Sequence, residues 1–143
     1  MTYKEIDEHT LSDEKLELLL ANYKESFELV DYYSTLFKGG ALVQTTEIHD
    51  ALDKLTGTFM SLNTPYQMLI AKKENEEAIF YEKRRMEIES TEKKFVSASV
   101  EREASVAVST LRRVRNIFGA YVSSCEKGIS TCQSKLKYLE KEK

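Results

Sequence analysis

Between residues 104 and 139 the chain repeats one pattern almost without interruption. Ala104, Ala107, Leu111, Val114, Phe118, Tyr121 and Cys125 follow one another at steps of three and four. That spacing keeps side chains on one stripe of a helix. Ile129 arrives one residue late, and Cys132, Leu136 and Leu139 then resume the rhythm, so the seam carries one four-residue stutter near Gly128. A helix from 98 to 141 would measure roughly 65 Å at 1.5 Å per residue. A compact domain of this size has a radius of gyration of only about 14 to 15 Å. The molecule is therefore expected to be elongated, or the helix to bend at Gly119 or Gly128. An elongated form leaves seam uncovered within one chain. The expectation is a homo-oligomer whose seam comprises Leu111, Val114, Phe118, Tyr121, Cys125, Ile129, Cys132 and Leu136.

Three further helices precede the seam. The first is predicted over 11–37, with Leu16, Leu20, Tyr23, Phe27, Val30 and Phe37 as its stripe and Gly39-Gly40 as its end. A shorter one is predicted over 46–62 on Ile48, Leu52, Leu55, Phe59 and Leu62, with Gly57 as a weak point. A third is predicted over 65–92. Thr64 suits an N-cap, Pro65 a first helical position, and Gln67 closes a capping box. The fold class expected is all-α, an elongated bundle of about four helices forming one domain over residues 1–143.

Composition excludes several classes of function. In 143 residues there are one proline, five glycines and no tryptophan. No run approaches the roughly 18 apolar residues of a membrane span. The polar, acidic start predicts no secretory signal and a cytoplasmic location. Cys125 and Cys132 stand two helical turns apart, roughly 10 Å, too far for a disulfide between them. They are read as small core residues. With His9 and His49 elsewhere, no metal-ligand spacing appears, and no cofactor is expected. No phosphate-binding glycine loop and no nucleophile elbow is present, so no enzyme is expected.

Charge is uneven. Residues 1–64 carry five Lys/Arg and twelve Asp/Glu, while residues 93–143 carry eleven and five. An acidic half thus precedes a mixed and then basic half, 65–143. Either the two neutralise each other by packing, or the basic half meets a polyanion. A track for the second case can be drawn on the third helix. Lys72, Lys83 and Lys94 are spaced by eleven, close to three helical turns. Lys73 and Arg84 repeat that spacing beside them, and Arg85 adjoins. Phe80 and Tyr81 lie between and could stack on bases, as binders of single strands require. The competing reading is a solvated face in which Glu74, Glu76, Glu77, Glu82 and Glu87 pair with these cations. Arg112, Arg113 and Arg115 form a second basic group, placed to bridge to the acidic first helix.

The third and last helices together resemble phage recombination mediators of the UvsY kind. The similar stretch runs over about 48–140. It comprises an amphipathic helix, then Leu69-Ile-Ala-Lys-Lys and Ala78-Ile-Phe-Tyr-Glu-Lys-Arg-Arg. The serine-containing Ser97-Ala-Ser-Val-Glu-Arg-Glu follows, then a long helix with Tyr121, Cys125 and Gln133. The resemblance implies rings that bind single-stranded DNA and help load a recombinase onto strands coated by single-strand-binding protein. The family's basic cluster would fall on Lys83, Arg84 and Arg85. The acidic stretch 11–37 has no counterpart in that pattern. The leading expectation is a recombination mediator of this type. The alternative is a non-catalytic adaptor or assembly chaperone that binds a partner protein. A basic face clear of acidic partners favours the first; one paired with the acidic first helix favours the second.

Overall fold

A computed structural model describes residues 1–142. Among these the elements are all helices: α1 (Tyr3–His9), α2 (Asp13–Asn22), α3 (Lys24–Lys38), α4 (Thr45–Ser90), α5 (Ser97–Ala107) and α6 (Ser109–Lys141). The all-α expectation holds. The division into four helices does not.

The largest departure is α4. Its 46 residues form one helix straight through Thr64-Pro65, about 70 Å long. The helix boundary predicted at Thr64 is absent. Ile48, Ala51, Leu55, Thr58, Leu62, Pro65 and Leu69 are all buried, at alternating steps of three and four. Pro65 therefore lies on the stripe that faces the rest of the molecule. A proline inside a helix costs about 3 kcal/mol or more. Seven buried positions in unbroken register outweigh one missing hydrogen bond, because each large side chain contributes about 1.5–3 kcal/mol on burial.

After a turn at 91–96, where Glu92 takes φ 60°, the chain runs back antiparallel to α4. The predicted single helix over 98–141 is interrupted at Val108, whose φ of −107° and ψ of 22° lie outside the helical range. Val106 and Val108 crowd this segment with β-branched side chains, which resist helical rotamers. Val108 is buried at the interruption. The Arg112 guanidinium donates to the carbonyl and hydroxyl oxygens of Ser105, in the last turn of α5 where carbonyls lose their intrahelical partners.

Neither glycine of α6 interrupts the helix; each admits a neighbour. A Cβ at Gly119 would stand 2.8 Å from the Tyr66 ring, and one at Gly128 would stand 2.8 Å from Leu55. Gly128 and Val122 are buried in the seam, while Tyr121, Ile129 and Leu136 are only half-buried at its edge. The seam thus has its centre at Leu111, Val114, Phe118, Val122, Cys125, Gly128 and Cys132.

The N-terminal helices cover this hairpin at one end. The predicted helix over 11–37 breaks at Tyr23 into α2 and α3. The Tyr23 ring meets Phe118 edge-on at 5.2 Å, and Phe27 does the same at 5.3 Å. Breaking the helix lets both rings converge on one buried aromatic. Tyr121 stacks on Phe27 at 4.4 Å and donates to Asp31 at 3.1 Å. α1, read from sequence as a polar tail, is capped by Thr2 and buries Ile6. Gly39-Gly40 ends α3 as expected; Gly40 takes φ 66° and Ala41 donates to Leu36.

Two consequences follow for the seam. Its apolar stripe is covered by α2, α3 and α4 of the same chain, with Phe118, Cys125 and Cys132 fully buried. The chain folds back and supplies cover for the centre of the seam, so the length of the seam by itself does not call for a second copy. Cover is also unequal along the hairpin. The main core includes α4 as far as Leu69 and begins again at Val108. Residues 72–107 extend beyond it as an arm of two helices.

Candidate nucleic-acid interface

The arm holds every residue of the predicted DNA track. It comprises the second half of α4, the turn at 91–96, and α5. Val100 and Ala104 are buried against α4, apart from the main core. Other large apolar side chains of the arm, among them Ile79, Met86 and Val96, stay exposed, and one ion pair, Arg84 with Glu103, crosses between the two helices among the described residues.

Most of the predicted cations carry a carboxylate already. Lys72 Nζ lies 3.2 Å from Glu76, and Lys73 Nζ lies 2.7 Å from Glu77 Oε2, each one helical turn on. The second contact is close in distance but out of line for a hydrogen bond. Arg84 Nε donates to Glu103 of α5 at 2.8 Å, and its other end reaches Glu87 at 3.4 Å. Arg85 donates to Glu89 at 3.1 Å. Hydrogen bonds to Glu103 and Glu89 raise the pKa of these two guanidinium groups above the ordinary arginine value.

The expected single side is not kept. α4 ends at Ser90, so Lys94 falls in the turn and does not continue the line through Lys72 and Lys83. Phe80 is half-buried. Tyr81 is engaged: its ring meets Phe95 edge-on at 5.9 Å, and its hydroxyl lies 3.1 Å from Ser97 Oγ. The Arg85 guanidinium sits over the other aromatic of that pair, Phe95, at 5.5 Å.

Sequence reasoning missed the end of the arm. Lys93, Phe95 and Arg102 belong to it, and the run Lys93-Lys94-Phe95 was the available signal. Among the described residues, no carboxylate lies within ion-pair reach of Lys83, Lys93, Lys94 or Arg102. These four sit in the turn or within about two helical turns of it. Acidic groups are nonetheless interleaved. Residues 72–107 carry eight Lys/Arg and nine Asp/Glu, a net of −1.

The second basic group behaves differently. Arg113 bridges to Glu17 of α2. Arg115 donates to its neighbour Asn116. One inter-helix pair to the acidic N-terminal half therefore forms, but the arm cations pair within the arm.

Other chemistry is sparse. Cys125 and Cys132 are both free and buried. Burial pushes the Cys125 thiol up to about 11, with Glu126 adding to the effect, and burial raises Cys132 too. Among the described residues, no group of three or more His, Cys, Asp and Glu is arranged to hold a metal ion. No helix there is long and apolar enough to cross a membrane. In comparisons with family models, curated proteins and solved structures, nothing matches this chain.

Proposed function

We propose that the protein is a non-catalytic helical binding protein whose arm contacts single-stranded DNA, acting as a recombination mediator that helps a recombinase displace single-strand-binding protein. The observation that carries this reading is the cluster of unpaired cations, Lys83, Lys93, Lys94 and Arg102, at the far end of a projecting arm. Phosphates would meet these four first. The paired cations Arg84 and Arg85 join by exchanging partners, at small cost, because exposed pairs of this kind are screened by solvent. Near-neutral charge in the arm keeps each site weak, so several copies act together on one strand. The resemblance to mediators of the UvsY kind supports the same reading.

The test is binding of labelled single-stranded DNA across a salt series. Binding should weaken steeply with salt, because each neutralised phosphate releases counterions. The variant Lys93→Ala/Lys94→Ala should lower affinity and flatten the slope with the helical content unchanged. Parent and variant binding alike at every salt concentration would sink the reading.

A second reading, an adaptor for a partner protein, has its own support. Ile79 and Met86, seven apart on α4, are 54% and 68% exposed. Absence of DNA binding even at low salt would hand the arm to that reading.

A further inference from the structure

The two helices of the arm leave a groove between them. It is an open depression of about 480 Å³, lined by Lys73, Glu74, Glu77, Ala78, Tyr81 and Glu82 of α4 and by Glu101 and Ala104 of α5. Its floor is apolar: two alanine methyls and the flank of a tyrosine ring. Its rim is acidic, four glutamates against one lysine. Glu74, Ala78 and Glu82 are four apart and form one stripe of α4. Lys72 and Glu76, which line the crevice beside the α1–α2 junction, lie on another. The groove is therefore not the surface on which the N-terminal helices pack.

The geometry points to this groove as a docking site for a basic amphipathic segment of a partner protein, one that presents lysine or arginine beside small or medium apolar side chains. Two observations fix the occupant. The groove already seats an ammonium of its own: Lys73 Nζ sits 2.7 Å from Glu77 Oε2, with the lysine side chain only 18% exposed. A cationic head on an aliphatic stem therefore fits there, its charge met by carboxylate and its stem by the apolar floor. The second observation is charge. With a local balance of one cation to four anions, the groove repels phosphates and repels a copy of itself. Face-to-face pairing of two such grooves would set Glu74 and Glu82 of one chain against the same residues of the other. A basic segment is the class that gains contact with the floor and the rim together.

This site is separate from the cations at the end of the arm and does not depend on their binding DNA. A mediator with both would hold a nucleic acid and a basic protein segment on different faces of one arm.

The test uses the full chain and a synthetic amphipathic helix with lysine on one face and leucine on the other, with a glutamate-for-lysine version as control. The lysine peptide should bind and shift the NMR signals of Ala78, Tyr81 and Ala104, and the glutamate peptide should not. Reversing two rim charges, Glu74→Lys with Glu82→Lys, should weaken binding about tenfold or more, since two attractive contacts are replaced by two repulsive ones. Both residues are exposed, so the helical content should not change, and circular dichroism checks this. A charge-matched variant on α2, Asp13→Lys with Glu14→Lys, should leave peptide binding within about twofold. Equal weakening by the α2 variant would overturn the proposal, because diffuse acidity would then explain the binding. No peptide binding would overturn it as well. So would the same three signals moving when the chain alone is concentrated, or when single-stranded DNA is added, because the occupant would then be a second copy or a nucleic acid.

Discussion

The two ends of the same helical hairpin are built on opposite terms. At the base, α4 from Ile48 to Leu69 and α6 from Leu111 to Cys132 bury an unbroken apolar register under α2 and α3. In the arm, outside the main core, α4 and α5 hold to each other through Val100, Ala104, a Tyr81–Ser97 hydrogen bond and, among the described residues, one ion pair, Arg84 with Glu103. Burying a large apolar side chain contributes about 1.5–3 kcal/mol, and an exposed ion pair up to about 1. The base is therefore where stability is concentrated, and the arm is where surface is left available.

That contrast can be broken at its strongest point first. Phe118 is fully buried beneath Tyr23 and Phe27. Phe118→Ala should cost about 3–5 kcal/mol in urea unfolding. Arg84→Ala in the arm should lower the urea midpoint far less, because its ion pairs are exposed to solvent. Similar losses at the two positions would show that the arm is as tightly integrated as the base.

Gly119→Ala comes next. The added methyl would meet the Tyr66 ring at 2.8 Å, and overpacking of this kind costs about 1–3 kcal/mol. Gly57→Ala, on the same hairpin but facing open space, should instead be neutral or stabilising, since alanine is the better helix former. Equal effects would mean that α4 and α6 do not approach as closely as described.

Alkaline pH should also act through the base. The Cys125 thiol is raised from an ordinary value of 9.0 to about 11, so the folded chain keeps its proton where the unfolded chain loses it. The contribution to stability is complete below pH 9 and fades as pH rises from 9 to 11. Tyr23 and Tyr33, also raised by burial, extend the loss to higher pH. The urea midpoint should fall over that window. In the native protein at neutral pH, both cysteines should react slowly with thiol reagents, and fast labelling of Cys125 would contradict its burial.

The smallest effect expected is at Arg113 and Glu17, the one ion pair joining α6 to the acidic N-terminal half among the described residues. Both side chains are about half exposed, so a double-mutant cycle should return under about 1 kcal/mol, and less at high salt. A larger coupling would make charge neutralisation between the halves a real part of the fold.

Much of the base was legible from residue spacing. The burial of Leu111, Val114, Phe118, Cys125 and Cys132 and the end of α3 at Gly39-Gly40 follow from periodicity and backbone preference. The continuity of α4 is carried by the same register, which runs through Ala51, Thr58 and Pro65 across the capping signal at Thr64. The interface was less legible. A list of lysines and arginines at helical spacing says nothing about which carboxylate each will choose. Glu103, which takes Arg84, comes from a different helix nineteen residues on.

The sequence by itself determined that this chain is helical and which side chains seek burial, because a three-four rhythm with so few glycines and prolines allows little else. Only the tertiary structure decided where the helices break and what covers the seam. The capping box at Thr64 and the helical promise at Tyr23 and Val108 are local preferences of about 1 kcal/mol each. Packing sets several large side chains against Phe118 and along α4, and outweighs those preferences by their number. Whether the seam meets a second copy or its own chain depends on the turn at 91–96 and on the N-terminal helices folding over the hairpin, and no spacing within the seam encodes either.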